Sequence, residues 1–576
     1  MNIQSFSIKN QGIFLKIKSD QAIYITEFGL INGTASQQFN SETGSLLQIY
    51  DGTGKFIPLN FSNVECEQIA DITEELITIG ATVNENLHIR ICILAGMIIG
   101  GNGKTVKIIV QASSDTEFPK LFFAYCPFLA NLIPPGTNGT YYYPANPVAL
   151  PDDSHALQIH PLCPFPYVLT DKKDELGFMI SFPTLSELYP AVQNRNVDLR
   201  NITNKEQLIS HRLPLRLGSV IADIFELEIC SLENGWREAF SLLRKEFTEK
   251  LNLHEYRRSD IEWMKKTFLH HFSYVYGKET YNYVGNKPDI EKLLDEGREF
   301  GGYDSVTLWH QYPRLGVDRR NQWDFFYDFP GGIQGLREVA DATHRHGVKF
   351  FLPYKPWDIG INESMEGVSE KLEQLADLTG LDGLFLDTMQ TVPAGFREAL
   401  DKAHPGIAFM SEGEPQSRQS LEVLTGSWEQ YFDNKPECKV NCLRFVLPGH
   451  ISPFINRWAL NQDKNNMIVR AMFSGSGLVI WQDIFGVWLP FTTEQKRVIK
   501  KYKSIWTNNR EVFLGSKSIP FVPTENENIL CNMFASDTCD DVIYVIYNYG
   551  RSVYSGNLVR HHLDNRNIQV LLLWGA

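Results

Sequence analysis

Residues 383–415 read GLFLDTMQTVPAGFREALDKAHPGIAFMSEGEP, and the punctuation of this stretch decides the fold class. Two short apolar runs, Leu384–Leu386 and Ile407–Met410, flank a segment with helix-like spacing. Strand, helix, strand is the βαβ unit, whose crossover requires parallel strands. In parallel α/β folds the chemistry gathers where the strands' carboxyl ends meet the following loops. Asp387 and Glu412 close the two runs at that edge, so they are the first candidates for a catalytic carboxylate pair.

Outward from this unit the alternation continues. Strands are expected at 268–276, 304–309, 348–354, 383–387 and 407–411, with helices near 289–299, 332–346, 364–379 and 393–404. Segments at 427–432, 440–447 and GLVIW at 477–481 supply three further strands, and TEQKRVIKKYKSIWTNN a closing helix. Eight strands over about 250 residues favour a (β/α)8 TIM barrel. Before it, IFLKIK, AIYITEF, LITIGATV, HIRICIL, TVKIIVQA and FELEIC are β-branched or aromatic runs without intervening helices. They imply an N-terminal β-sandwich. After Phe513, FVPT, ILCNMF, DVIYVIYNYG and IQVLLLW imply a small C-terminal β-sheet domain. The expected division is 1–232 sandwich, 233–257 helical linker, 258–512 barrel and 513–576 C-terminal domain.

Composition narrows the partners. The 576 residues carry a net charge of −14 and no basic stripe, which argues against nucleic acid. Nine dispersed cysteines do not form a disulfide framework, and no Cys or His grouping has metal-ligand spacing. Neither a metal nor another cofactor is expected. The longest apolar stretch, 91–100, is too short for a bilayer, so no membrane partner is expected. The first twenty residues lack the n- and h-regions of an export signal, and the expected location is cytoplasmic unless a leader was removed. Aromatic content reaches 12%, with 11 Trp and 23 Tyr, which suits the alternating faces of sugars.

Each barrel strand ends at one shared cleft, so the residues closing the strands are the candidate site. These are Trp309 and His310, then Lys355, Trp357 and Asp358, then Asp387, then Glu412 and Glu414, and finally Trp481 and Asp483, with His450 in LPGHISP as a further candidate. Carboxylates and aromatics without metal ligands suit cleavage of a glycosidic bond, in an oligosaccharide or glycoside substrate. One carboxylate attacks the anomeric carbon or activates water, and the other, protonated, assists the departing oxygen. Asp387 is expected to stay ionised as nucleophile, and Glu412, near a second carboxylate, to be pushed towards its protonated form as acid/base. Glu414 competes with Glu412, because alternate residues of an extended chain point the same way. Lys355 is expected to pair with one of the carboxylates. Arg319 and Arg320 lie in the long loop RLGVDRRNQWDFFYDFPGG.

DFPGGIQGLREVADATHRHGVKFFL resembles the second helix and third strand of barrel glycosidases of the α-amylase and α-galactosidase types. DGLFLDTM resembles their fourth strand with its nucleophilic Asp, and FMSEGEP the fifth-strand acid/base Glu of the α-amylase and endo-α-N-acetylgalactosaminidase groups. The resemblance implies a retaining glycoside hydrolase acting on an α-linked sugar. It departs from the α-amylase pattern at Phe385, where that family has an Arg. An α-galactosidase-like enzyme would take its acid from a later strand, with Asp483 as candidate. The same scaffold also admits a non-catalytic carbohydrate-binding protein.

Overall fold

The computed structural model describes residues 251–310, 320–356, 367–413, 415, 418–430, 442–455, 464–526, 528–550, 552–559 and 570–573, together with strand and helix segments of residues 1–250. The chain divides into two units, Met1–Lys250 and Leu251–Ala576.

The first unit carries two antiparallel sheets of eight and seven strands. The first runs through Gln4–Lys9, Ile13–Ser19, Ile23–Leu30, Ser45–Tyr50, Phe122–Tyr125 and Leu213–Leu215, with Ser36–Gln38 and Phe56–Ile57 pairing off its path. The second orders Tyr167–Thr170, Leu176–Ser181, Ala222–Ser231, Thr105–Ser114, Leu87–Gly96, Glu74–Asn84 and Asn60–Ile69. Alternation is visible along Leu87–Ile91, where Leu87, Ile89 and Ile91 are buried, His88 is half-buried and Arg90 is exposed.

In the second unit the parallel sheet has strand one at Leu269–Tyr274, two at Ser305–Trp309, three at Lys349–Tyr354, four at Gly383–Leu386, five at Ala408–Ser411, seven at Phe454–Ile455 and eight at Leu478–Ile480. Strand six is a single stretch broken at Trp428. Its first half, Gly426–Ser427, pairs with strand five, and its second, Glu429–Gln430, pairs with strand seven. The two ends of the sheet are thus neighbouring parts of one stretch, and with strand one paired to both two and eight the barrel closes.

Helices at Ile290–Gly297, Gly332–Arg345, Val368–Thr379, Phe396–Ala403, Arg418–Val423, Lys464–Phe473 and Thr493–Asn508 alternate with the strands. Their ends follow local chemistry. Thr492 and Gln495 form a reciprocal capping box at the start of the last helix, and Gly380 ends 368–379 at φ 67°. Residues 440–447, expected as a strand, instead hold a helix at Cys442–Val446. So short a run has no periodicity to separate the two states; Leu443, Phe445 and Val446 are buried, and so is Arg444, which donates to the Gly475 and Phe513 carbonyls.

The barrel is filled by inward rows of alternate residues, including Phe272, Trp309, Phe351, Phe385, Met410, Trp428, Val479 and Trp481. Strand starts are pinned by carboxylates. Asp304 accepts the backbone N–H groups of Phe268 and Leu269 at 3.0 and 2.8 Å, and Asp382 accepts that of Phe350 at 2.9 Å. Toward the C-terminus, Ile529–Ala535 pairs with Val542–Asn548 as an antiparallel hairpin. Phe534 of this hairpin packs on Phe513 with ring centroids 5.1 Å apart, and Asn532 donates to the Phe473 carbonyl at 2.7 Å. Val570–Leu573, expected as strand, form none and are exposed.

Gly383 starts strand four because its inward position faces the Phe351 ring, which a Cβ would meet at 2.0 Å. Gly383→Ala is therefore expected to cost about 1–3 kcal/mol by overpacking the barrel floor, measured as a lower midpoint of denaturant unfolding. Unchanged stability would contradict this placement of Phe351.

Candidate active site

The pairing register explains why two carboxylates meet. Strands four and five pair Phe385 with Met410 and Leu386 with Ser411. Two residues beyond the Phe385–Met410 pair, on the same inward rows, stand Asp387 and Glu412. The backbone ladder extends that far, since Asp387 N–H donates to Tyr354 O and Glu412 N–H to Leu386 O, each at 3.0 Å. Neighbouring strands lie about 4.8 Å apart, so adjacent inward carboxylates cannot avoid each other.

Beneath them is an aromatic floor. Phe385 and Trp428 stack at 4.3 Å, and Phe272 touches Phe385, Trp428 and Trp481 at 5.7, 5.1 and 4.9 Å. Asp387 is 7% exposed and Glu412 4%. Trp309 Nε1 donates to Asp387 Oδ2 at 2.9 Å, and the Thr388 N–H donates to Glu412 Oε2 at 2.6 Å. Thr388 makes that bond at φ 58°. A β-branched residue in the left-handed region is strained by about 1–3 kcal/mol, and the strain aims its amide at Glu412.

Burial, then the negative field of Glu412 and the hydrogen bond shared with it, push Asp387 up to about 7. Trp309 and the field of Lys355 pull the other way. The upward push thus falls on Asp387, the reverse of the expectation that this residue stays ionised. The opposite end of the same chain segment provides a contrast. Burial also opposes ionisation of Asp382, yet His344 at 2.6 Å, Lys349 at 2.7 Å and the Phe350 N–H hold it below the usual carboxylate range. Donors saturate Asp382, whereas Asp387 faces another carboxylate.

Several other expected residues gather here. Lys355 is buried, with its Nζ 4.5 Å from the Trp309 ring centre and 5.4 Å from that of Phe325. His310 is buried against the rings of Trp309, Phe325 and Phe326 at 5.8, 5.4 and 4.7 Å. Trp481 lies in the floor, its Nε1 donating to Asp483 O at 2.7 Å. Asp483 lies beyond strand eight and accepts the Gly486 N–H at 3.1 Å within its own hairpin. His450 is buried away from the carboxylates. It bonds to the Tyr256 hydroxyl at 3.0 Å and the Ser427 hydroxyl at 2.8 Å, and burial pushes it down to about 3. That is a neutral, structural histidine ahead of strand seven. Trp357, Asp358, Glu414 and Arg319 lie outside the described residues. Arg320 pairs with Asp328 at 3.0 Å.

Two residues that sequence reasoning passed over belong to the site. Gln430, the last residue of strand six, donates to the Glu412 carbonyl at 2.8 Å. The expected strand, 427–432, runs two residues past Gln430, so its end does not mark this position. Thr388 carries no sequence signal of its positive φ. Among the described residues no group of three or more His, Cys, Asp or Glu is placed to hold a metal ion, and no helix is long and apolar enough to cross a membrane.

No family model matches the chain, and no curated protein matches it. Among solved structures, it is similar to a quadruple mutant of the α-N-acetylgalactosaminidase NagBb from Bifidobacterium bifidum. The identity is 9%, with 94% of this chain and 100% of that chain covered, and the TM-score is 0.55. It is also similar to the galactosidase domain of the α-galactosidase-sucrose kinase AgaSK, at 12% identity over 92% and 89% of the chains and TM-score 0.47. A third similar structure is the GH36 α-galactosidase AgaA from Geobacillus stearothermophilus, at 10% identity over 94% and 91% and TM-score 0.45. At these identities the likeness establishes the fold, and it rests on the first of the three.

The raised Asp387 has a consequence for stability. In the unfolded chain the group titrates near about 3.9. Between that value and about 7 the folded chain binds more protons than the unfolded one, so this group lowers stability as pH rises through the interval. Asp387→Asn removes the effect. Its melting temperature is expected to exceed the wild type's at pH 8, with the gap closing towards pH 4. A gap independent of pH would contradict the buried, carboxylate-facing Asp387.

Proposed function

We propose that the chain is a retaining glycoside hydrolase acting on an α-linked sugar, with Asp387 as nucleophile and Glu412 as acid/base. The observation that carries this reading is the register-paired Asp387 and Glu412 at the carboxyl ends of barrel strands four and five, above an aromatic floor. The fold shared with an α-N-acetylgalactosaminidase supports it and makes α-N-acetylgalactosaminides the first substrates to test, with α-galactosides beside them. The two antiparallel sheets of residues 1–250 are read as the sandwich of this architecture, and the C-terminal hairpin as its small β domain.

Retaining glycosidases hold their carboxyls about 5–5.5 Å apart, with the reacting sugar between them. Without a sugar, Asp387 and Glu412 share a hydrogen bond, so substrate entry must replace that bond. As the sugar parts the pair, the proton they share passes to Glu412. The ionised Asp387 carboxylate then attacks the anomeric carbon as its bond to the leaving oxygen breaks, and Glu412 delivers that proton to the leaving oxygen. An Asp387 ester results. Water, giving a proton back to Glu412, attacks the same carbon and frees Asp387. Trp309 Nε1, on Asp387 Oδ2, fixes the carboxylate's orientation, and the positive field of Lys355 favours its ionised form.

Aryl α- and β-glycosides of galactose and N-acetylgalactosamine test the reading with four proteins. Wild type is expected to turn over an α-glycoside with net retention. Asp387→Asn should abolish turnover while still folding, and Glu412→Ala should lose about 10²- to 10⁴-fold, with partial recovery in azide. Asp483→Asn should stay within a few-fold of wild type, because Asp483 is engaged in its own turn. An active Asp387→Asn would refute the nucleophile. An inactive but folded Asp483→Asn would favour the α-galactosidase-like arrangement, and sugar binding without any turnover the non-catalytic one.

A further inference from the structure

Beyond strand eight, Asp483–Ile484 and Val487–Trp488 form a hairpin closed by only two residues, Phe485 and Gly486. Both are at positive φ, 50° and 83°, as in a type I′ turn, whose first position favours Asn, Asp or Gly. Phenylalanine there is strained. The ring's position shows what the strain accomplishes. Phe485 lies 5.1 Å from Trp481 and 6.3 Å from Tyr274, and Tyr274 lies 5.3 Å from Trp309, which bonds to Asp387. An unbroken run of aromatic contacts therefore leads from the nucleophile candidate to the tip of this hairpin.

Phe521 is the other phenylalanine at positive φ among the described residues. It is buried, with its ring 6.1 Å from Phe473, so packing accounts for it. Phe485 and Tyr274 are only partly buried, and packing alone does not account for placing a large apolar ring there. Strands one and eight stand across the closed sheet from strands four and five. A sugar presenting its anomeric carbon to Asp387 has its far side towards strands one and eight.

We propose that Phe485, with Tyr274 beside it, is a sugar-binding platform that stacks on the apolar C–H face of the pyranose whose anomeric carbon meets Asp387. The proposal rests on the carbohydrate reading of the site, and its test works without turnover. Dissociation constants of free N-acetylgalactosamine and galactose are measured for wild type and for Phe485→Asn, Phe485→Leu and Phe485→Tyr.

Phe485→Asn suits the turn but removes the ring, so it should fold with an unchanged or higher melting temperature and bind about tenfold more weakly. Phe485→Leu should weaken binding similarly, and Phe485→Tyr should bind like wild type. On a turned-over glycoside the same variants should raise KM and leave kcat within about twofold. Unchanged binding in Phe485→Asn and Phe485→Leu would overturn the platform. So would a Phe485→Tyr variant as weak as Phe485→Leu. Sugar binding that depends on Phe485 but leads to no hydrolysis would sustain the platform and sink the hydrolase reading. Absence of binding by wild type would sink both.

Discussion

The parallel register between the fourth and fifth barrel strands is the constraint on which the site depends. By setting Phe385 beside Met410, it fixes Asp387 beside Glu412 two residues later, with no freedom left for loops to separate them. What lies below in the same rows is equally consequential. Phe385 and its aromatic neighbours exclude water from the barrel interior, so the two carboxylates meet where like charge is hardest to screen. Phe385 thereby has a role of its own. Where the α-amylase pattern carries a cation, this chain has an apolar ring, and the positive charge near Asp387 comes instead from Lys355, just past the end of strand three.

Strain and electrostatics act together at this mouth. Thr388 holds a backbone conformation that β-branched residues avoid and so directs an amide at Glu412. Phe485 does the same to direct a ring. Each is destabilising locally and persists because the closed barrel over-determines the backbone around it. The carboxylates themselves show the same division. Asp304 and Asp382, at the strands' amino ends, are surrounded by N–H and cationic donors and pin the scaffold. Asp387, at the opposite end, is left facing a carboxylate and is held near neutrality.

Much of this was legible in the sequence, for identifiable reasons. The βαβ pattern around 383–411 combines continuous apolar strands with amphipathic helices, and its strand ends name Asp387 and Glu412 directly. Strands one to five and strand eight fall within two residues of their expected bounds. The sequence failed where periodicity carries no information. Residues 442–446 form a run of five, too short to show a period, and are helical with Arg444 buried among Leu443, Phe445 and Val446, while strand seven is only Phe454–Ile455. His450, a further candidate in LPGHISP, is bonded instead to Tyr256 and Ser427, partners remote in sequence. The direction of the Asp387 shift was missed because it follows from burial and from the facing Glu412, and the depth at which a strand-end carboxylate is buried leaves no trace in its own sequence neighbourhood.

The central claim is that Asp387 forms the covalent bond to sugar. Incubation with a 5-fluoro glycosyl fluoride of the sugar the protein turns over, followed by proteolysis and fragmentation of the labelled peptide, tests it most directly. One glycosyl group per chain, esterified to Asp387, is the outcome this account requires. A label on any other residue, or a protein that hydrolyses the parent glycoside yet never accumulates an ester, would contradict it.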